Sequence, residues 1–178
     1  DNNWRKNRRN NGANFGVDNN RNYDVLWSST CGGSTTTSSE TYRGPSALSE
    51  PETRTMMALN RALRPHIYID FHSSGREVLF PYSTCATVPA TLRTFLDRYV
   101  TDLRTPMAYN TRAPSASAEA PEGQWVESGT LGFLVEVMTS FQPVFTDTVT
   151  EEQTRVWPGM RQVLTTWKPA LRGRVRSI

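Results

Sequence analysis

The chain is poor in histidine, lysine and cysteine, and it has no long apolar run. Its 178 residues include two histidines, His66 and His72. The net charge is +3, and the only lysines among the basic residues are Lys6 and Lys168. Because no apolar run reaches about 18 residues, we expect no membrane span. The polar start predicts no signal peptide. The chain also opens within a functional-looking segment, so we expect further polypeptide upstream.

The two cysteines, Cys31 and Cys85, lie far apart in the chain. Their positions exclude the close Cys-x-x-Cys spacing that is typical of metal and redox motifs. Two interpretations remain open: a pair of free core thiols, or one disulfide between Ser/Thr-rich loops. The disulfide is the favoured interpretation, and it would indicate an oxidising compartment.

Basic residues are concentrated in two places, at Arg5–Arg9 and Arg172–Arg176. A nucleic-acid-binding domain normally carries a sustained basic face, which a net charge of +3 does not supply. We therefore predict no nucleic-acid partner. A binder that uses Trp4–Arg9 stays as an alternative, and the salt dependence of binding would test it.

Helix and strand patterns alternate along the chain, which predicts a single α/β domain with helices on the faces of a sheet. Residues 28–44 are rich in Ser, Thr and Gly, and residues 105–124 are rich in Pro and Ala, so both are predicted loops. The predicted strands are Ile67–Phe71, Val78–Tyr82 and the apolar run Leu131–Val137.

Three helices are predicted from capping and periodicity. The first has a capping box at Ser49 and Glu52 and ends at Pro65. The second begins near Pro89. The last begins near Glu151 with a box at Thr148 and Glu151, and Pro158 kinks it or marks its true start. The predicted buried stripes are Met56, Leu59 and Leu63; then Leu92, Phe95, Leu96, Tyr99 and Leu103; then Val156, Met160, Val163, Leu164 and Trp167.

Three features are candidates for chemistry. Arg5, with Asn20 and Arg21, could bind carboxylates, because guanidinium groups do so bidentately. His72 ends a strand, where open α/β sheets bind ligands. Glu136 interrupts an apolar run, where burial would raise its pKa towards the range of a general base. Each feature also has a structural interpretation. The arginines could form a solvated basic surface, His72 could be a structural histidine, and Glu136 could lie on the wet face of a strand.

The order of these pieces resembles the zinc carboxypeptidase family related to pancreatic carboxypeptidase A. The resemblance extends over nearly the whole chain. Its matching pieces are Trp4–Lys6, Gly16–Asp24, Ser39–Gly44, Ser49–Glu52, Ile69–Ser73 and Phe133–Val137.

The resemblance implies a mixed central β-sheet flanked by helices, a secreted hydrolase and a Zn²⁺ cofactor. It implies that His72 is a zinc ligand and Glu136 the general base that activates a zinc-bound water. Arg5 would stabilise the oxyanion. Asn20 and Arg21 would hold the terminal carboxylate of a peptide substrate, with Ser73 beside them. The alternatives are a cell-wall peptide carboxypeptidase of the same superfamily and a non-catalytic protein that binds C-termini.

The chain departs from the family pattern in two respects. The family's His-x-x-Glu zinc motif is absent, since Ile69 and Gly75 follow the two histidines at that spacing. We therefore expect an N-terminal chain or segment to complete the zinc site, with the N-terminal part of the domain absent from this chain.

The family's mobile tyrosine is also missing, because Ala116 stands near its expected place and Tyr109 is the nearest tyrosine. The stretch from Glu119 to Gln124 is expected to line the specificity pocket. Within it Glu122 is a candidate to select a basic C-terminal side chain. The alternative is that Glu119 and Glu122 are solvated loop charges.

Overall fold

Four strands form one mixed sheet in the part of the chain that the computed structural model describes, residues 4–167. The strands are β1 (Ile67–Ser73), β2 (Glu77–Leu79), β3 (Asn110–Arg112) and β4 (Leu131–Val137). The helices are α1 (Pro51–Leu63), α2 (Ala90–Met107), α3 (Ala120–Ser128), α4 (Phe145–Glu151) and α5 (Trp157–Thr166). The predicted basic cluster Arg172–Arg176 lies outside the described residues.

The spatial order of the sheet is β1-β4-β2-β3. β4 pairs in parallel with β1 and antiparallel with β2, and its central residues are buried. This explains why β4 reads as an almost continuous apolar run. Among residues 4–167, β1 has a strand partner on one side only.

Helices cover both faces of this sheet. Odd-numbered residues of β4, such as Phe133 and Val135, join the main core beneath α2 and α5. On the opposite face Tyr68 packs into a smaller cluster with Met57 of α1 and Ala120 of α3. Since side chains alternate between the faces of a strand, the even-numbered residues of β1 and β4 share the α1/α3 face. The predicted mixed sheet flanked by helices is confirmed.

The buried face of α1 differs from the prediction. Thr53, Met57 and Asn60 are buried, whereas Leu59 is 48% exposed and Leu63 is 67% exposed. The first turn has Glu50 at the N-cap and no side-chain cap, so the predicted capping box is wrong. The Ser49 hydroxyl donates instead to the Glu50 carboxylate. Polar contacts to buried Asn22 thus set this face, which hydrophobic spacing alone does not predict.

The predicted loop at 105–124 is mostly wrong. α2 extends to Met107, β3 follows at once, and α3 starts at Ala120. Pro121 lies in the first turn of α3, where proline is tolerated because the missing N–H has no partner within the helix. In α2, Leu96 and Leu103 are buried as predicted, but Phe95 is largely exposed. The second strand ends at Leu79, short of the predicted Tyr82.

The last predicted helix begins earlier than expected. α4 starts at Phe145, a π-helical segment spans Glu152–Val156, and α5 follows from Trp157. The Thr148–Glu151 capping box is therefore wrong, because both residues lie inside α4. Pro158 stands in the first turn of α5. This agrees with the predicted alternative in which Pro158 marks the start of a helix. In the predicted stripe Val163 is buried, but Leu164 is mostly exposed.

Cys31 and Cys85 form a disulfide, which confirms the favoured interpretation. The predicted irregular loop at 28–44 is also confirmed, with one isolated bridge between Ser34 and Tyr42. Among residues 4–167, no helix is both long enough and apolar enough to cross a membrane.

Candidate active site

A cavity of about 360 Å³ lies where β1 and β4 end. It brings together six of the seven site residues that the sequence predicts: Arg5, Asn20, Arg21, His72, Ser73 and Glu136. The seventh, Glu122, does not line it. Asp18, Asn19, Glu119, Leu134 and Phe141 complete its walls.

His72 and Glu136 are neighbours because of strand register. They are direct partners in the parallel pair β1–β4, and the pair continues to Ser73 and Val137. Their side chains share one face of the sheet. The two strands thus place an imidazole and a carboxylate side by side at their C-terminal ends.

The imidazole of His72 is held by an acidic neighbour. Its Nε2 lies 3.3 Å from Oδ2 of Asp70, two residues earlier on the same strand face. Burial lowers the pKa of His72, but the hydrogen bond and charge of Asp70, with the charges of Glu136 and Glu119, outweigh this effect. The net result is a raised pKa.

The Glu136 carboxylate is half-buried, and its Oε2 has no hydrogen-bond partner among residues 4–167. Burial raises the pKa of Glu136, while the positive charges of His72 and Arg112 oppose the increase. The net pKa is raised, in the direction that suits a group that must take up a proton. Glu136 is thus neither fully exposed nor fully buried, and its side chain lines the cavity.

Asn20 and Arg21 lie in a short 3₁₀ turn, Asn19–Arg21. The Asp18 carboxylate accepts a bond from the Asn20 backbone N–H at 3.1 Å and so caps the turn. The fully buried Asn22 side chain anchors the following chain by donating to Arg43 O, Ser46 O and Ser49 Oγ. These contacts fix the turn, and Asn19, Asn20 and Arg21 all line the cavity.

Glu119 lines the cavity, and it belongs to the stretch that the sequence analysis expected to line the specificity pocket. Its side chain is buried, and its Oε1 accepts a bond from Nη1 of Arg21 at 2.9 Å. Burial raises the pKa of Glu119 to about 7, against the lowering effects of Arg21 and His72. The interpretation of Glu119 as a solvated loop charge is therefore wrong. The one sequence feature that could have indicated an ordered Glu119 is its position directly before Ala120 and Pro121, which start α3.

Glu122 does not line the cavity, and it is only 1% exposed. Its Oε1 accepts from the Ser83 backbone N–H at 2.9 Å, and its Oε2 has no hydrogen-bond partner among the described residues. Burial raises the pKa of Glu122 to about 8. The predicted contact between Glu122 and a substrate side chain is thus wrong in this structure, because α3 turns the residue inwards.

Arg5 is the member of Trp4–Lys6 that reaches the cavity. Its guanidinium carbon lies 5.3 Å from the centre of the Phe141 ring, a cation–π contact. The Ser73 hydroxyl donates to the Phe141 carbonyl at 3.0 Å and so fixes the same loop. Lys6 is buried and donates to the carbonyls of Thr37 and Ser39, which is a structural role.

The described residues do not by themselves form a zinc site. Among residues 4–167 there is no group of three His, Cys, Asp or Glu side chains placed to hold a metal ion. His72 lines the cavity, whereas His66 precedes the opposite end of β1. Tyr109 does not act as a mobile tyrosine here, because it is buried and donates to Glu151 at 2.6 Å.

Residues 1–132 match the sequence model of a known protein family, which is described as zinc carboxypeptidase. This chain belongs to the zinc carboxypeptidase family. Zinc carboxypeptidase A 1 of Drosophila melanogaster is 35% identical over 94 residues, which are 52% of this chain and 22% of that protein. Carboxypeptidase A6 of Homo sapiens is 41% identical over 92 residues, 48% of this chain and 21% of that protein.

One relative of this chain is named as inactive. Inactive metallocarboxypeptidase ecm14 of Talaromyces marneffei is 37% identical over 98 residues, 50% of this chain and 16% of that protein. The matches thus span only about a fifth of the length of these relatives.

Two solved structures are similar to this chain in fold. Carboxypeptidase A from Helicoverpa armigera has a TM-score of 0.72 at 23% identity, over 89% of this chain and 44% of that one. Bovine thrombin-activatable fibrinolysis inhibitor has a TM-score of 0.75 at 22% identity, over 92% of this chain and 63% of that one. The chain therefore corresponds to part of each of these folds.

Proposed function

We propose that the complete protein is a zinc-dependent metallocarboxypeptidase that hydrolyses the C-terminal peptide bond of peptides or proteins. The observation that supports this most strongly is the composition of one cavity. Arg21 can receive a carboxylate there, Arg5 faces the same space, and Glu136 stands beside His72. Family membership supports the same class of reaction.

Asn20 and Arg21 hold the terminal carboxylate of the substrate in this proposal. A guanidinium and a neighbouring amide provide directed donors that match a planar carboxylate. Ser73 lines the same space and fixes the Phe141 loop. Because the clamp recognises a free carboxylate, the enzyme acts only at the end of a chain.

Glu136 takes a proton from the attacking water and later delivers it to the leaving amine. Its raised pKa and its free Oε2 lone pairs suit both steps. Arg5 donates hydrogen bonds to the oxyanion that develops from the scissile carbonyl. When bound, a zinc ion acts as a Lewis acid and lowers the pKa of its water, and His72 is the residue of this chain that would ligate it.

The remaining zinc ligands come, in this proposal, from an N-terminal chain or segment that also extends the sheet. The edge of β1 has no strand partner among residues 4–167, and Phe71 on that strand is 46% exposed. An unpaired strand edge is a template for another strand. The chain covers 44–63% of the similar structures, which leaves room for such a segment.

The complete protein is secreted in this proposal. The Cys31–Cys85 disulfide supports an oxidising compartment, where such bonds persist.

The test compares matched peptides that end in a free carboxylate or in an amide. The complete protein is expected to release the last residue from the free acid and to leave the amide intact. Release from both peptides at equal rates would contradict a carboxylate clamp. Loss of turnover on chelation and its recovery with Zn²⁺ would test the cofactor.

A second candidate is a non-catalytic protein that binds C-termini through Asn20 and Arg21. The similarity to a relative named as inactive favours keeping this candidate. Tight binding of free-acid peptides, without hydrolysis and without bound zinc in the complete protein, would select it. Preferential cleavage of a peptidoglycan stem peptide over a blocked dipeptide would instead identify a cell-wall carboxypeptidase.

A further inference from the structure

The Cys31–Cys85 disulfide does not line the cavity and has no part in the catalysis proposed above. It joins the loop that follows the Asn20–Arg21 turn to the loop between β2 and α2. Cys85 is exposed and Cys31 is partly buried. Exposed disulfides are open to attack by thiolates and are among the labile ones. This bond is therefore open to reduction in the folded protein.

Both halves of the disulfide contact a third segment of the chain, at the buried residue Ser117. On one side, the Cys31 carbonyl accepts a bond from the Ser117 backbone N–H at 2.8 Å. On the other side, the Ser83 hydroxyl accepts from the Cys85 backbone N–H at 3.2 Å and shares a hydrogen bond with the Ser117 hydroxyl. The disulfide and its two loops thus hold this segment from two directions.

The same segment continues directly into residues that contact the clamp. The Glu119 carboxylate accepts a bond from Nη1 of Arg21 at 2.9 Å. The Ala120 backbone N–H donates to Oδ1 of Asn20 at 3.1 Å. Both side chains of the clamp are therefore held by a segment whose position depends on the disulfide loops.

The loop that contains Cys31 also packs on Arg21 itself. Gly33, two residues after Cys31, has a φ of +88°, and a Cβ placed on it would lie 3.0 Å from the Cβ of Arg21. A glycine permits both this conformation and this close approach of the backbone. A shift of the loop would reach Arg21 through its aliphatic stem as well as through the segment that binds its guanidinium.

We propose that the Cys31–Cys85 disulfide is a redox-sensitive element that keeps Asn20 and Arg21 in their binding geometry, so that reduction of the bond weakens binding of the substrate carboxylate. This inference rests on the proposed function, because it takes Arg21 as the group that binds the carboxylate.

The reductant in this proposal is a dithiol. One of its thiolates attacks the exposed Sγ of Cys85, which breaks the S–S bond and releases the thiolate of Cys31. The second thiolate then attacks the sulfur of the reductant in the mixed disulfide and releases Cys85. The dithiol is oxidised to its own disulfide, and its two electrons and two protons pass to the two cysteines.

The test measures kcat and KM of the complete protein on an N-acylated dipeptide with a free carboxylate, before and after treatment with dithiothreitol. Alkylation and mass spectrometry verify that Cys31 and Cys85 are reduced. We expect KM to rise by about tenfold and kcat to change little, because the loosened clamp must be ordered again on binding. An unchanged KM in the fully reduced protein overturns the inference.

Two variants serve as controls. The double variant Cys31→Ser and Cys85→Ser should have a raised KM without treatment and should not respond to dithiothreitol. A rise of KM on its treatment as large as that of the unaltered protein overturns the inference, because that rise would come from loss of zinc to the dithiol. If the double variant does not fold, the reduced unaltered protein still decides the question.

The second control, Tyr109→Phe, separates positioning of the clamp from a general loss of stability. It removes a buried hydrogen bond to Glu151, and neither residue lines the cavity. The variant should be less stable and should keep the KM of the unaltered protein. A rise in its KM equal to that caused by reduction overturns the inference.

Calorimetric binding of matched free-acid and amide dipeptides separates this inference from the proposed function. Equal affinities for the two peptides in the oxidised protein contradict the clamp, and with it the proposed function. If the oxidised protein prefers the free acid without hydrolysing it, and reduction removes that preference, the hydrolysis fails and the inference stands. A preference that reduction leaves unchanged overturns the inference alone.

Discussion

His72 on β1 and Glu136 on β4 are direct partners in the register of one parallel strand pair. Residues far apart in the sequence thus meet at the same edge of the sheet. In an open α/β sheet, ligands bind outside the carboxyl ends of the strands. The cavity lies there, and the turn with Asn20 and Arg21 forms part of its wall.

Arg21→Lys is expected to weaken substrate binding by about 10- to 100-fold, mainly as an increase in KM. Lysine keeps the charge and so preserves an ion pair with Glu119, but it loses the planar fork that matches a carboxylate. Steady-state kinetics on a free-acid peptide would measure this. Arg61→Lys, at an exposed pair with Glu127, is the matched control and should change neither constant. An unchanged KM in Arg21→Lys would remove Arg21 from the clamp.

The stability of the protein is expected to depend on Glu122 between pH 4.5 and 8. Burial raises the pKa of Glu122 from its ordinary value of 4.5 to about 8. The folded state therefore binds a proton that the unfolded state releases in this range, so stability falls as pH rises through it. Each pKa unit corresponds to about 1.4 kcal/mol.

Glu122→Gln removes this ionisation. We expect the free energy of unfolding of the variant, relative to the unaltered protein, to rise by a few kcal/mol (on the order of 3) between pH 5 and pH 8. Urea unfolding at the two pH values measures it. Glu127→Gln, on the exposed side of the same helix, should show no such change. A Glu122→Gln difference that is independent of pH would refute the assignment.

Loss of the Cys31–Cys85 disulfide is expected to destabilise the protein by about 4 kcal/mol in the chain-entropy model, because the bond closes a long loop. The sequence separation is 54 residues. The double variant Cys31→Ser and Cys85→Ser, compared with the unaltered protein in urea unfolding under oxidising conditions, measures this. Equal unfolding midpoints and equal slopes would contradict it.

The sequence predicted the strands because local pattern determines them, whereas the family resemblance supplied the roles of the candidate site residues. The apolar run around Glu136 and the strand that ends in His72 are defined by neighbouring residues, and the structure confirms both strands. The structure also brings His72, Glu136, Arg5 and the Asn20–Arg21 turn to one cavity.

Tertiary contacts determine the features that the sequence did not predict. The buried face of α1 depends on the hydrogen bond that the Thr53 hydroxyl donates to Asn22 Oδ1, 31 residues earlier in the chain. The Glu119 carboxylate accepts a hydrogen bond from Arg21, which lies 98 residues earlier. Glu122 points inwards because of where α3 begins. The start of α3 was not predicted, because the proline in its first turn is also typical of a loop. Local periodicity carries no information on such contacts.

The central claim is that Glu136 performs proton transfer in C-terminal peptide hydrolysis. The most direct measurement is kcat for the complete protein carrying Glu136→Gln, with Glu77→Gln as control, since Glu77 faces Glu136 across β2 and β4. We expect Glu136→Gln to lower kcat by about 10²- to 10⁴-fold with peptide binding retained, and Glu77→Gln to have little effect. A Glu136→Gln variant with unchanged kcat would contradict the mechanism.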